Sequence, residues 1–253
     1  MTQSPAPTAA MIAIGDEVLS GRTKDRNIGH LAELLTMAGI DLKEARIIGD
    51  EPTQIADTVN TLRRAYDFVV TCGGIGPTHD DITADAIGAA FGLGVIEHPE
   101  ALRRLAETYE KRGVEFTEAR RRMARMPEGS TLIDNPVSTA PGFRIDNVFV
   151  LAGVPSVFQA MVDNVLKELP TGVPILSEAL PCRFPEGDIG GPLRDIQKNH
   201  PGVAIGSYPR FDGTRHSTEL VMRSRDREAL AAAKADVAAM LAAFEAAGAS
   251  EKV

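Results

Sequence analysis

The first half of the chain alternates short apolar runs with stretches in which apolar residues recur every three or four positions. Residues 10–14 form an unbroken apolar run of strand length, after which Ile28, Leu31, Leu34 and Leu35 fall on one helical face and Gly39 supplies a C-terminal stop. Residues 45–48 repeat the strand signal, Ile55, Val59 and Leu62 repeat the helical one, and residues 68–72 give a third buried strand. Strand and helix in strict alternation, joined by short connections, predict parallel βαβ units with right-handed crossovers.

Further along, residues 99–126 read as helix-rich with Gly113 between the halves, and residues 131–134 and 148–151 read as strands. Between those strands, residues 135–143 contain Pro136 and Pro141 and predict a loop of fixed shape, because a central strand cannot give up the backbone donors that proline lacks. Pro155 suits the first turn of a helix whose apolar face is Phe158, Met161, Val162, Val165 and Leu169, and Pro170 and Pro174 end it. From Gly172 the rhythm changes to strand-like pieces at 179–184, 203–207 and 218–222, closed by an alanine-rich helix over 227–246. The expected organisation is a loose tail over 1–8, a main α/β domain over 9–171 and a smaller α+β domain over 172–253.

Composition narrows the functional classes. A chain of 253 residues with 43% apolar content is long enough for a substantial core. Its 35 acidic residues against 27 Lys and Arg give a net charge of -8, the wrong sign for broad nucleic-acid or anionic-membrane binding. No stretch approaches the roughly 20 apolar residues of a membrane helix, and the first ten residues lack a secretory signal's basic start and apolar core, so the expected location is the cytoplasm. Cys72 and Cys182 have neither disulfide-framework nor metal-ligand spacing and read as small core residues.

The candidate chemistry lies where the strands end. Gly15-Asp16-Glu17 follows the first strand, Gly49-Asp50-Glu51 the second, and Gly73-Gly74-Ile75-Gly76-Pro77-Thr78-His79-Asp80-Asp81 the third. In a parallel sheet the carboxyl ends share one edge, and α/β proteins bind ligands in the crevice outside it. Glycines let the main chain turn tightly, and amides at the next helix start favour an anion, which makes phosphate the natural guest. Thr78 or Asp80 is the expected cap of that helix, with Ile82, Ala86, Ile87 and Ala90 on its buried side. The dinucleotide fingerprint G-x-G-x-x-G fails at His79, and the Walker A pattern fails because Asp16 and Arg22 stand where glycine and lysine are required.

Carboxylates beside a phosphate pose an electrostatic problem, since like charges about 4 Å apart repel by roughly 4 kcal/mol at an effective dielectric of 20. A divalent ion such as Mg²⁺, held by one or two carboxylates, waters and phosphate oxygens, resolves it. Asp81, Asp80 and Asp16 are the candidate metal ligands, and Asp50 is the candidate for orienting water. Two readings stay open for the basic clusters Arg22, Lys24, Arg26 and Arg120, Arg121, Arg122, Arg125: a solvated face, the commoner outcome, or an anion site. His79 reads as a neutral hydrogen-bonding group in the loop.

Four ordered segments, residues 15–23 with Asn27, residues 73–83, residues 135–143 and Leu151-Ala152-Gly153-Val154-Pro155, resemble the competence/damage-inducible protein A (CinA) family, which shares the molybdopterin-binding domain of the MoaB/MogA superfamily. The glycine loop is also similar to that of the molybdopterin-binding-like domain of eukaryotic FAD synthases. The resemblance implies a three-layer α/β/α fold with a mostly parallel sheet followed by a smaller α+β domain, a molybdopterin or nucleotide ligand, and a homo-oligomer. By motif position, Asp50 and Asp81 match the aspartates tied to adenylyl transfer in MogA-like enzymes. Gly15, Asn27, Gly73, Gly74, Gly76, Pro77, Thr78, Ser138, Thr139, Pro141, Gly142, Gly153 and Pro155 match ligand-binding positions. Ala152 replaces the proline usual at its position, so that loop is expected to be less rigid.

CinA-type members are associated with metal-dependent hydrolysis of pyrophosphate bonds in ADP-ribose or FAD, which makes a metal-dependent nucleotide pyrophosphatase the expected activity. A non-catalytic molybdopterin or nucleotide module and a molybdopterin adenylyltransferase are the alternatives. The later deamidase-like domain of long CinA proteins and the nucleotidyl-transfer domain of FAD synthases have no counterpart here, so neither deamidation nor flavin synthesis is expected.

Overall fold

Thr8–Ile14 (β1) directs Ala10, Ile12 and Ile14 into one core and Ala9, Met11 and Ala13 into another, the period-two alternation of a strand buried on both faces. The computed structural model describes residues 6–211 and 216–250. After β1 come a single turn Asp16–Leu19 (α1), Asn27–Met37 (α2), Asp41–Ile48 (β2), Pro52–Ala65 (α3), Phe68–Cys72 (β3) and Thr83–Phe91 (α4). Strands β2, β1 and β3 lie side by side and parallel, so their glycine-rich ends emerge on one edge.

Val95–Glu97 (β4), Pro99–Lys111 (α5), Glu118–Arg121 (α6), a 3₁₀ turn at Arg122–Ala124, Arg125–Pro127 (β5), Thr131–Ile133 (β6), Gly142–Ile145 (β7), Val148–Leu151 (β8) and Pro155–Glu168 (α7) follow. β8 joins β3 in parallel, and β7 and β6 extend the sheet antiparallel in the order β2-β1-β3-β8-β7-β6. Side chains from α3, α4 and α5 fill the core on one face of the sheet, and α2 and α7 fill the other, which makes the three layers.

The chain divides into two compact units between Gly172 and Val173. In the second, Leu176–Cys182 (β9), Glu186–Asn199 (α8), Ala204–Phe211 (β10), His216–Ser224 (β11) and Arg227–Ser250 (α9) build an antiparallel sheet ordered β10-β11-β9 with two helices. Leu220, Met222, Ile189, Leu230 and Val237 are at the centre of its core.

Four expectations need correction. Thr8 belongs to β1 rather than to a loose tail, because its N–H and hydroxyl both donate to Asp67 Oδ2 at 2.7 Å; residues 1–5 lie outside the described residues. Residues 125–126, expected as helix, are strand β5, paired antiparallel with β4. Gly142 and Phe143, expected in a loop, are strand β7, where Phe143 packs in the core at 1% exposure. Helix α8 was not anticipated, since Gly190, Gly191 and Pro192 argue against a helix; burying Ile189 with Leu193 and Ile196 at helical spacing overrides that local preference.

Candidate functional site

The repeated Gly-Asp turns fasten to each other. Gly15 N–H donates to Ile48 O at 3.0 Å. The Asp16 main-chain N–H donates to Asp50 Oδ2 at 2.9 Å, and Asp50 N–H donates to Asp16 Oδ1 at 3.4 Å. A Cβ at Gly49 would stand 2.5 Å from Asp16 Oδ1, so any larger residue there would displace that carboxylate. Burial, helped by the charges of Asp16, Glu17 and Asp80 and opposed by the Asp16 N–H, raises the Asp50 carboxyl above its ordinary range. The two glutamates part company. Glu51 caps α3 by accepting the N–H groups of Thr53 and Gln54, whereas Glu17 faces open space at the strand ends.

Beyond β3, Gly73 has φ 110°, and a Cβ there would lie 2.1 Å from Ile14 O, so the crossing of the β1 and β3 ends admits only glycine. Thr83, fully buried at the start of α4, ties the loop down: its hydroxyl donates to Gly73 O at 2.9 Å and its N–H to Gly74 O at 3.0 Å. The far end is closed by Asp81, whose Oδ2 accepts the Thr78 N–H at 2.8 Å and the Thr78 hydroxyl at 2.5 Å. Neither Thr78 nor Asp80 caps α4; Ile82 occupies the cap position with no side-chain cap bond. His79, expected to hydrogen-bond within the loop, projects into solvent with its side chain fully exposed.

A cleft of about 650 Å³ opens at this rim, a size common for small-molecule sites. One wall carries Gly15, Glu17, Asp50, Asp80 and Asp81, and its floor carries Gly73, Gly74, Gly76 and Pro77. Opposite are Gly153, Pro155, Asn135 and Ser138, and the apolar lining is Ile75 and Met123, packed against the core on one face of the sheet, and Val157, packed in the core on the other. A smaller depression with Asp16, Ser20 and Arg22 shares Glu17, Asp50 and Asp80 with the cleft, so the carboxylates form the ridge between two hollows. Asn27 supports the rim from behind: 4% exposed, it donates from Nδ2 to Gly153 O at 2.9 Å.

Besides Asn27, four ligand-binding candidates do not line the cleft: Thr78, whose N–H and hydroxyl are turned to Asp81, and three that fall elsewhere. Thr139 and Pro141 line an adjacent depression with Arg104 and Lys167, because the loop before β7 turns at residues 136–138 and then passes through the left-handed Thr139 (φ 71°). Gly142 is buried in the sheet, where a Cβ would meet Val150 O at 2.4 Å; its glycine serves packing. As for a metal, no group of three or more His, Cys, Asp or Glu side chains among the described residues is arranged to hold an ion. Asp16 and Asp50 come together, with Asp80 near enough to act on Asp50, while one oxygen of Asp81 is committed to Thr78.

Residues 10–171 match the family model described as "Probable molybdopterin binding domain", over well more than half of the chain. The chain belongs to this molybdopterin-binding-domain family. Residues 174–247 match the model "FAD synthase, middle domain". The chain is 33% identical to a protein of Aeropyrum pernix over 213 residues, covering 81% of this chain and 80% of that one. It is 30% identical to a "Putative competence-damage inducible protein" of Alkaliphilus oremlandii over 81% of this chain and 52% of the relative, so it spans about half that protein's length. Among solved structures, CinA of Thermoplasma acidophilum, a protein of unknown function, is 30% identical with a TM-score of 0.58 over 64% of this chain and 98% of that one.

Within the molybdopterin-binding domain, sequence reasoning missed Arg122. Its Nε donates to Thr78 O and its Nη2 to Asp81 O, both at 3.2 Å, which straps the glycine loop from the 3₁₀ turn. The rest of that arginine run lies at the surface with partners: Arg120 donates to Glu115 O, the exposed Arg121 pairs with Glu97 at 2.5 Å, and Arg125 pairs with Asp85 at 2.6 Å. Asn135 was visible only as the start of a loop motif. An asparagine at a strand end followed directly by proline, here Asn135-Pro136, is a local turn signal, and that was the available clue.

Proposed function

We propose that the chain binds a phosphorylated nucleotide or pterin in the strand-end cleft and hydrolyses a pyrophosphate bond of an ADP-containing molecule such as ADP-ribose or FAD with a divalent metal ion. The observation that carries this reading is the interlocked Asp16–Asp50 pair standing in the same rim as the Gly73 to Thr78 loop. Main-chain amides of the loop cradle phosphate. Mg²⁺ asks for only one or two carboxylates beside waters and phosphate oxygens, so Asp16 and Asp50, with Asp80 on the same ridge, fit as its protein ligands without a full cage. The ion would neutralise charge on the phosphates and polarise the phosphorus centre. Asp50, with its raised carboxyl, orients the attacking water, and Asp81 contributes by closing the loop around Thr78. Ile75 and Met123, half-buried in the lining and packed against the same core, offer apolar surface that suits a flat ring.

A second reading is a module that holds molybdopterin or nucleotide in the same cleft without turnover, in line with the description "Probable molybdopterin binding domain", which names binding and no reaction. Measuring AMP release from ADP-ribose and FAD with Mg²⁺ or Mn²⁺, alongside calorimetry with ADP, separates the two. Metal-dependent release that falls at least about a hundredfold in Asp16→Asn and Asp50→Asn supports the hydrolase. Tight binding with no release under any metal assigns the module instead, and adenylylated pterin formed from ATP would assign a transferase.

A further inference from the structure

Asn135, between β6 and β7, is 7% exposed and uses its whole hydrogen-bonding capacity on its own loop. Its Oδ1 accepts the main-chain N–H groups of Val137 at 3.0 Å and Ser138 at 3.1 Å. Main-chain amides only donate, so the carbonyl end of the side chain must face them and the amide nitrogen must be the other end. That nitrogen donates to Ala140 O at 2.8 Å and to Ser138 Oγ at 2.6 Å. The consequence falls on Ser138. With Asn135 donating into its oxygen, the hydroxyl hydrogen is left to point away from Asn135, and Ser138 is an exposed residue of the cleft wall.

The same bonds hold the loop in a shape it would not choose. Thr139 has φ 71°, a left-handed conformation that costs a β-branched residue, and its N–H donates to Asn135 O at 3.2 Å. This conformation sends Ser138 and Ala140 to the cleft and Thr139 and Pro141 to the neighbouring depression. We propose that Asn135 is a positioning residue which fixes the Ser138 hydroxyl as a hydrogen-bond donor to an acceptor oxygen of the phosphorylated ligand. The inference rests on the ligand class proposed above.

The test uses the full chain and ADP with Mg²⁺ as probe. Ser138→Ala weakens ADP binding roughly tenfold or more, the size of one hydrogen bond to a charged group. Asn135→Asp keeps an acceptor for the Val137 and Ser138 N–H groups but puts an oxygen where the donor was, so the Ser138 hydroxyl turns inward. Relative to wild type at the same pH, that variant binds ADP about tenfold more weakly at pH 8 and recovers progressively as the pH falls towards about 4 and the introduced carboxyl begins to take up a proton and donate again. The double variant binds no more weakly than Ser138→Ala alone. Losses that add in the double variant overturn the proposal, because a charge acting directly on ADP needs no hydroxyl. Amide hydrogen exchange supplies the ligand-free arm: Val137 and Ser138 N–H stay protected in Asn135→Asp and lose protection in Asn135→Ala, and unchanged protection in Asn135→Ala overturns the positioning role. If the wild type fails to bind ADP, the proposed ligand class falls, and the exchange experiment decides the role of Asn135 by itself.

Discussion

Asp50 is the carboxylate at the strand-end rim whose surroundings push hardest against its charge. Burial comes first among the causes, and Asp16, Glu17 and Asp80 add to it. An acid whose carboxyl is raised in the fold binds its proton more tightly there than in the unfolded chain, so its ionisation opposes folding at neutral pH, and that opposition fades as pH falls through the raised value. Asp50→Asn retains an acceptor for the Asp16 N–H. Its thermal midpoint is therefore expected above that of the wild type at pH 7, with the difference closing towards about pH 4, as followed by circular dichroism. Saturating Mg²⁺ narrows the same gap if the ion sits at Asp16 and Asp50, since it relieves the repulsion in the wild type. Gly73 poses a steric rather than an electrostatic demand. Gly73→Ala combines a positive φ with a Cβ 2.1 Å from Ile14 O, and urea denaturation should show a loss of at least about 2 kcal/mol. Cys72, pushed up to about 12 by burial, is a packed thiol and not a nucleophile.

At the scale of elements, one tetrapeptide does two jobs. Glu51 is followed by Pro52 at the first turn of the 14-residue helix α3 and caps it, while Glu17 opens the four-residue turn α1 and faces the cleft. Glu51→Ala should lower the thermal midpoint and leave ADP affinity unchanged, and Glu17→Ala should do the reverse, a contrast that calorimetry on both variants checks. The hydrogen bonds from Thr53 and Gln54 hold the Glu51 carboxyl below its usual range, so its share of stability is present above the ordinary carboxylate pKa and is lost as pH falls through the lowered value. The repeat was plain in the sequence; this division was not, because it depends on the length of the helix that each turn enters. Short elements were the least legible for a related reason. Three residues of β4 carry no measurable period, and their partner β5 is joined to them only by antiparallel pairing across α5. Arg122 lies 41 residues along the chain from Asp81, and nothing local marks it as the strap of the glycine loop.

For the whole molecule, a net charge of -8 is concentrated unfavourably for an anionic guest, since the cleft and its neighbouring hollow carry five acidic residues against Arg22. Metal-free ADP should therefore bind more tightly as salt rises from about 0.01 to 0.15 M, with Mg²⁺ removing most of that dependence; an affinity that falls with salt in the absence of metal would contradict an acidic rim around the phosphate. The sequence determined the βαβ order, the buried strands β1 and β3 and the placing of glycine and aspartate at their ends, because a strand buried on both faces reads as a nearly continuous apolar run and a tight exit favours glycine. Tertiary structure decided what those ends do together. That Glu17 faces the cleft, that Gly142 packs against β8 and α7, and that Arg122 straps the glycine loop follow from contacts between segments far apart in the chain, and distances across a sheet edge are written in no local pattern; Asn135 shapes its loop through bonds within five residues, and only the fold aims that loop at the cleft.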